Sequence, residues 1–286
     1  MIHSMTGFGK ASLQLPTKKI TVEIKSLNSK GLDLNTRMPS VFREMELGLR
    51  NQISQRLERG KVDFSLYVEV TGEETTSKIN VPIVKGYINQ MKAVIPNADE
   101  TELMKMAVRM PDALKTERDE IDENEWKQIQ TVIDEALENI ANFRKDEGAS
   151  LEKEFQLRIS NINNLMNEAV SYDAERVETV KTRLRTALDE LKVNVDENRF
   201  EQELIFYLEK YDITEEKVRL GNHLSYFLET LNGTEANGRK LGFITQEMGR
   251  EINTMGSKSN HTEMQKLVVM MKDELEKIKE QVLNVL

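Results

Sequence analysis

The sequence contains no cysteine, which removes disulfides, thiolate nucleophiles, zinc fingers and iron–sulfur clusters by inventory. A reducing, cytoplasmic setting is therefore expected. Histidine is scarce too: His3, His223 and His261 are the three in 286 residues, too few for a multi-histidine metal centre. No apolar run approaches the roughly 18 residues needed to span a bilayer. The start, MIHSMTGFGKASLQLPTKK, does not set a long apolar stretch behind basic residues as an export signal does. The chain reads as neither exported nor membrane-spanning.

Nucleotide templates are missing as well. GTEANGRK carries two P-loop glycines, but Arg239 stands where the lysine belongs and no strand is read before it. MTGFGKA lacks the third glycine and the following helix of a dinucleotide fingerprint. Neither a nucleophile elbow nor an HExxH pattern occurs, so no small-molecule cofactor is expected.

Positive charge is in deficit, with a net charge of −9, and this argues against a polyanionic partner, whose phosphates are held by Lys and Arg. The average conceals a gradient. Residues 1–71 hold 11 basic and 7 acidic side chains, residues 72–196 hold 17 and 26, and residues 197–286 hold 12 and 16. The first seventy residues can face a polyanion only if the fold gathers their bases on one surface.

What the chain does have is periodicity. ITVEIKSLN and KVDFSLYVEV alternate apolar and polar positions, the signature of half-buried strands. Between them Val41, Met45, Leu49, Ile53 and Leu57 are spaced for one face of a helix from about Ser40, which Arg59-Gly60 ends. TGEETTSK reads as a linker, and everything after it reads as helix. Trp126, Ile129, Ile133, Leu137, Ile140 and Phe143 form one stripe. Leu151, Phe155, Ile162, Leu165 and Ala169 resume it after a polar gap at Arg144 to Gly148. The result is two long helices, or one of roughly 65 Å at about 1.5 Å per residue, ending near Lys192. A helix that long is expected to bury its stripe on another helix or another subunit, hence a homo-oligomer. The fold class is α+β, with an N-terminal α+β domain (1–71), an acidic helical arm region (72–196) and an all-α C-terminal domain (197–286).

The C-terminal domain carries two stripes per helix. In EEKVRLGNHLSYFLETL, Leu220, Leu224, Phe227 and Leu231 serve a core while Glu216, Arg219, His223 and Tyr226 share a second face. In GRKLGFITQEMGREINTM, Leu241, Ile244, Met248, Ile252 and Met255 form the core stripe, and Phe243, Glu247, Arg250, Glu251 and Thr254 the other. Glu247 and Glu251, four apart, repel mildly at a surface and need a cation if enclosed. That cation is either a divalent metal or the side chains of Arg250, Arg219 or Lys240. His223 fits either an interface or a proton-transfer role. Asp212 stands in a capping-box relation to Glu215. Oxygen-rich donors favour Mg²⁺ or Mn²⁺, ions that serve phosphoryl chemistry. GSKSN, with Lys258, reads as a Gly/Ser turn able to cradle a phosphate.

Ordered blocks at both ends of the chain give these residues a context. SMTGFGKA, VEIKSLNSKGLDL and RGKVDFSL at the start, and NRFEQEL, DITEEKVRLGNHLSYF, GRKLGFITQEMGREINTMGSKS and KDELEKIKEQVLN at the end, resemble the YicC/YloC family. Two departures stand out: Gly242 where that family has an acidic residue in an LDF-like step, and a terminus closing VLNVL. The resemblance implies a divalent-metal-dependent endoribonuclease with a helical C-terminal domain, in ring-like homo-oligomers, hexamers by expectation, that close on single-stranded RNA. On this reading Asp212, Glu216, Glu247 and Glu251 are the metal-ligand candidates, and His223, Glu247, Glu251 and Lys258 the catalytic candidates. Arg199, Arg219, Lys240, Arg250 and Lys258 would hold the RNA. Two rivals remain at this point: an RNA-binding adaptor that presents transcripts to another nuclease, and a purely structural helical oligomer.

Overall fold

The computed structural model describes residues 2–71, 78–115, 123–190, 196–233 and 238–286. The N-terminal strands are β1 (Gly7–Gln14), β2 (Lys18–Leu27), β3 (Leu32–Arg37) and β4 (Gly60–Val70). They form one sheet in the order β1-β2-β4-β3. β1 and β4 pair antiparallel with β2, and β3 runs parallel to β4. The alternation read in the sequence sets the burial: Ile20, Val22 and Ile24 of β2 and Val62, Phe64 and Leu66 of β4 all point into one core.

Between β3 and β4 the chain makes a 3-10 helix, Ser40–Met45, and then α1 (Glu46–Arg56). The single helix expected from Ser40 is therefore split. Pro39 precedes the 3-10 turn, and Phe42 is buried where the single-helix spacing assigned Val41, which is 40% exposed. Leu49 and Ile53 bury as expected.

Two short strands, β5 (Lys78–Ile79) and β6 (Leu114–Lys115), pair antiparallel around α2 (Val81–Val94) and α3 (Glu100–Ala107). This corrects the all-helical reading of the region, whose small core is Val84, Ala107 and Ala113. Most of the linker TGEETTSK, residues 72–77, lies outside the described residues, as does the expected arm end near Lys192.

One helix of 49 residues, α4 (Glu123–Ser171), organises the rest. Its first half, with Ile129, Ile133, Ala136 and Ile140, packs on the sheet. Its second half, with Leu151, Phe155, Ile159 and Ile162, enters the core of α7 (Thr214–Asn232), α8 (Gly238–Lys258) and α9 (Thr262–Val282). Phe155 of α4 meets Phe227 of α7 edge-on at 5.7 Å. The stripe is thus satisfied inside one chain, so its length gives no ground for an oligomer. Phe143, assigned to the stripe, is instead 45% exposed.

The polar gap in that stripe has a physical cause. The N-terminal segment crosses α4 there. A Cβ at Gly148 would stand 2.1 Å from the carbonyl oxygen of Ile2. Arg144, buried, donates to the carbonyls of Met5 at 3.1 Å and Arg59 at 3.2 Å and to the Ser26 hydroxyl. Burial without a carboxylate partner lowers its pKa. The segment is also held by the C-terminus: Met5 N donates to Asn284 O at 2.7 Å and Leu286 N to His3 O at 3.0 Å.

Two further helices, α5 (Asp173–Glu190) and α6 (Glu197–Lys210), connect α4 to α7. Among the described residues no helix is long and apolar enough to cross a membrane.

Candidate functional site

The core stripes of α7 and α8 are as the sequence spacing indicates: Leu220, Leu224, Phe227, Leu231, Leu241, Ile244, Met248, Ile252 and Met255 are all buried. The opposite faces form a polar strip along the α7–α8 seam. Glu216, in the first turn of α7, reaches Lys258, the last residue of α8: Nζ donates to Oε1 at 2.8 Å. That contact makes the helices antiparallel. It places His223, seven residues further along α7, level with Glu251, seven residues back along α8, each about 10 Å from the ion pair at 1.5 Å per residue.

Glu251 is 9% exposed and has no hydrogen bond or ion pair among the described residues. His223 is half-buried and likewise without a partner. Glu216 is only 4% exposed, and its second oxygen, Oε2, is buried and unbonded. The remaining charges are satisfied locally. Glu247 accepts from Arg250 at 2.7 Å, Arg219 pairs with Glu215 one turn back, and Lys240 lies 4.8 Å over the Tyr226 ring.

Asp212 is exposed and performs the capping expected of it, although one step off: Ile213 occupies the N-cap position. The Asp212 carboxylate accepts from the Thr214 amide at 3.1 Å and its hydroxyl at 2.7 Å. Those bonds, helped by the positive charges of Lys258 and Arg176, lower its pKa.

The GSKSN segment is not an open cradle. Helix α8 continues through Lys258, the Ser257 and Ser259 hydroxyls donate to Thr254 O and Met255 O, and Gln265 of α9 donates to the Gly256 and Ser259 carbonyls. A phosphate would have to displace the chain's own bonds. Arg199 sits apart on the exposed side of α6, about 18 Å along that helix from Tyr211.

Spacing gave no hint of Arg176 on α5. It is 4% exposed and donates to the carbonyls of Tyr211 and, at 3.2 Å, Lys258, while Asp173 balances it at 2.6 Å. It ties the end of α6, just ahead of α7, to the end of α8 and so helps position Glu216 against Lys258. Its partners are backbone carbonyls from distant segments, which no local pattern announces.

Nor do the bases of the first seventy residues gather. On the outer face of the sheet Lys10 pairs with Glu23 at 2.9 Å, Lys25 stands in register with Asp63, and Lys61 with Asp33. Alternating signs make a solvated face.

The whole chain falls to one description of known proteins. Residues 2–153 match the family Endoribonuclease YicC-like, N-terminal region, and residues 166–286 match Endoribonuclease YicC-like, C-terminal. The chain belongs to the YicC-like endoribonuclease family. Among YicC-like relatives, a protein of Clostridioides difficile (strain 630) named probable endoribonuclease YicC is 33% identical over 293 residues, covering all of both chains. One of Haemophilus influenzae with the same name is 29% identical over 287 residues, covering 99% of each.

A divalent ion implied by the resemblance can be tested against the donors present. Among the described residues no three His, Asp or Glu side chains stand together as a metal cage. Asp212, Glu216, Glu247 and Glu251 are distributed along the strip, and three of them are already engaged. One chain therefore offers the unpartnered Glu251, and the free Oε2 of Glu216, as separate oxygen donors.

Proposed function

We propose that this chain cleaves single-stranded RNA internally, as a divalent-metal-dependent endoribonuclease working in the cytoplasm as a homo-oligomer, a hexamer by expectation, with the α7–α8 strip as its site. The observation that carries the reading is Glu251. Among the described residues its enclosed carboxylate has no partner, which leaves its oxygens available to a cation from outside the chain. The reaction class comes from the family and from the relatives' names.

Mg²⁺ and Mn²⁺ sites that act on phosphates commonly use one or two carboxylates and complete the shell with water and substrate oxygens. Glu251 can supply one such carboxylate, and Glu216, about 10 Å away along the seam, Asp212 and Glu247 are the further candidates on the strip. When bound, such an ion polarises the scissile phosphodiester. The exposed guanidinium groups of Arg219 and Arg250 and the ammonium of Lys240 hold flanking phosphates and fix the strand's register, while Arg199 serves a more distant one. Imidazole is the side chain suited to proton transfer near neutral pH. His223 delivers a proton to the leaving oxygen as a water oxygen bonds to phosphorus, the P–O bond to the leaving group breaks and the water's proton passes to solvent. Lys258 holds Glu216 in place. For self-association the support is on α6, where Ile205 and Phe206 are 56% and 61% exposed, an apolar surface suited to a second copy.

One observation favours a second reading, the non-catalytic RNA-binding adaptor: Glu216 and Glu247 are already neutralised by Lys258 and Arg250. Purified full-length chain incubated with end-labelled single-stranded RNA separates the two. The nuclease reading expects internal cuts with Mn²⁺ or Mg²⁺, none in EDTA, and a loss of about a hundredfold or more in rate for Glu251→Gln with RNA affinity retained. Binding without cuts in any metal leaves the adaptor. No binding even at low salt, where phosphate contacts are strongest, leaves a structural oligomer.

A further inference from the structure

The small unit formed by β5, α2, α3 and β6 is basic in a protein of net charge −9: residues 78–115 hold six basic and four acidic side chains. The basic ones are not dispersed. Lys85 and Lys92 share one face of α2 with Ile88 between them, Lys105 lies on α3, and Val108 and Arg109 follow in the turn just after its last residue. These residues line a cleft of about 900 Å³, to which, among the described residues, Glu100 brings the only carboxylate.

The cleft is lined by the aliphatic side chains of Ile88, Met104 and Val108 and by the four cations. Lys85 and Arg109 have no ion pair among the described residues. The other two cations are held only weakly: Lys105 pairs with Glu102 with both side chains more than 60% exposed, and Lys92 pairs with Glu100, which is 75% exposed. Exposed pairs of this kind contribute little and exchange readily for a stronger anion. Lys85 and Lys92 are about 10 Å apart along α2, and Lys105 and Arg109 stand at the end of α3 and in the turn that follows it. Charges spread in two rows suit successive phosphates of a strand better than one phosphate at a point. Among the described residues its lining has no aromatic side chain for base stacking, so it would hold the backbone without reading sequence.

We infer that the α2–α3 cleft is a second RNA-docking site, remote in sequence from the α7–α8 strip, that grips the phosphate backbone of the single-stranded substrate. The inference rests on the endoribonuclease reading of the strip. Lys85 and Arg109 are the two phosphate-holding residues. An acidic protein segment is the rival occupant, since it offers the same charge.

The experiment uses full-length chain and a fluorescein-labelled oligouridylate, with binding followed by anisotropy at several salt concentrations and cleavage followed on the same RNA. For Lys85→Gln/Arg109→Gln we expect binding weakened about tenfold or more and the slope of log K against log salt reduced in magnitude by about 1.4, two contacts at 0.7 each for a single strand. KM should rise with kcat unchanged, and Lys85→Arg/Arg109→Lys should restore affinity. Unchanged affinity and slope in the Gln variant, while the wild-type chain binds and cuts RNA, overturns the cleft assignment and leaves the strip assignment standing. Failure of the wild type to bind or cut RNA removes the reading on which the inference rests. Binding of polyglutamate that the Gln variant alone loses, with RNA affinity untouched, assigns the cleft to an acidic protein and also overturns the inference.

Discussion

The Lys258 ammonium stands 2.8 Å from Oε1 of Glu216, which leaves the other oxygen of that carboxylate buried without a partner. The pair joins the end of α8 to the start of α7, and only 6% of the Glu216 side chain and 26% of the Lys258 side chain face water. Removing one member of an enclosed pair costs roughly 3–5 kcal/mol, because the other charge is stranded. Partial exposure of Lys258 reduces that, and Lys258→Met is expected to cost about 2 kcal/mol. Adding Glu216→Gln to Lys258→Met should recover part of the loss. Urea unfolding of both variants is the measurement, and additive losses would show that the two groups are not coupled.

At Glu251 stability and activity should part. A buried carboxylate without a partner is a cost to the fold, so Glu251→Leu should raise stability by about 1 kcal/mol while RNA cleavage is lost. Thermal unfolding alongside a cleavage assay tests this. A Leu variant less stable than wild type would mean that the carboxylate is structural.

Glu274 of α9 should set part of the acid limit of the fold. Burial raises its pKa, but hydrogen bonds from Lys277, Asn161 and Arg158 outweigh burial and take it from 4.5 to about 2. Since the folded value lies below the unfolded one, its stabilising contribution is fully present above pH 4.5. It is lost as the pH falls toward 2. Glu274→Gln should therefore be less stable than wild type at pH 7, with most of that gap gone by pH 2.5. Urea midpoints at the two pH values would show this, and a gap at pH 2.5 as large as that at pH 7 would contradict it.

Gly9 of β1 permits the sheet to lie directly on α4. A Cβ there would come within 2.2 Å of Ala136 O and 2.8 Å of Ile140 N, backbone atoms that cannot rotate away. Gly9→Ala is expected to cost about 3 kcal/mol, at the upper end for overpacking. A loss under 1 kcal/mol in denaturant unfolding would show that the strand and the helix are not in close contact.

Much of the architecture could be read before any coordinates, because burial follows a period. Ile20, Val22 and Ile24 alternate along a strand, and Leu220, Leu224, Phe227 and Leu231 recur along a helix, since each element can hide only one side. Local spacing could not reveal that Phe42 replaces Val41 in the core, because a 3-10 turn rotates side chains differently from an α-helix. Nor could it reveal that the gap at Arg144 to Gly148 is a crossing point: the occupant, Ile2 to Met5, is some 140 residues away in the chain.

For the candidate site the division falls in the same place. From the sequence alone came the two faces of α7 and α8, the capping carboxylate of Asp212, the dearth of histidine and cysteine that excludes most metal centres, and the resemblance that the family match bears out. Only the tertiary structure decided that Glu216 is held by Lys258, that Glu247 turns to Arg250, that Glu251 and His223 lie level with no partner among the described residues, and that Arg176 fastens the seam. Period tells which side of a helix a residue occupies. It does not choose which of several opposite charges within reach becomes the partner, since that depends on how neighbouring helices are placed and on how much water their packing leaves between them.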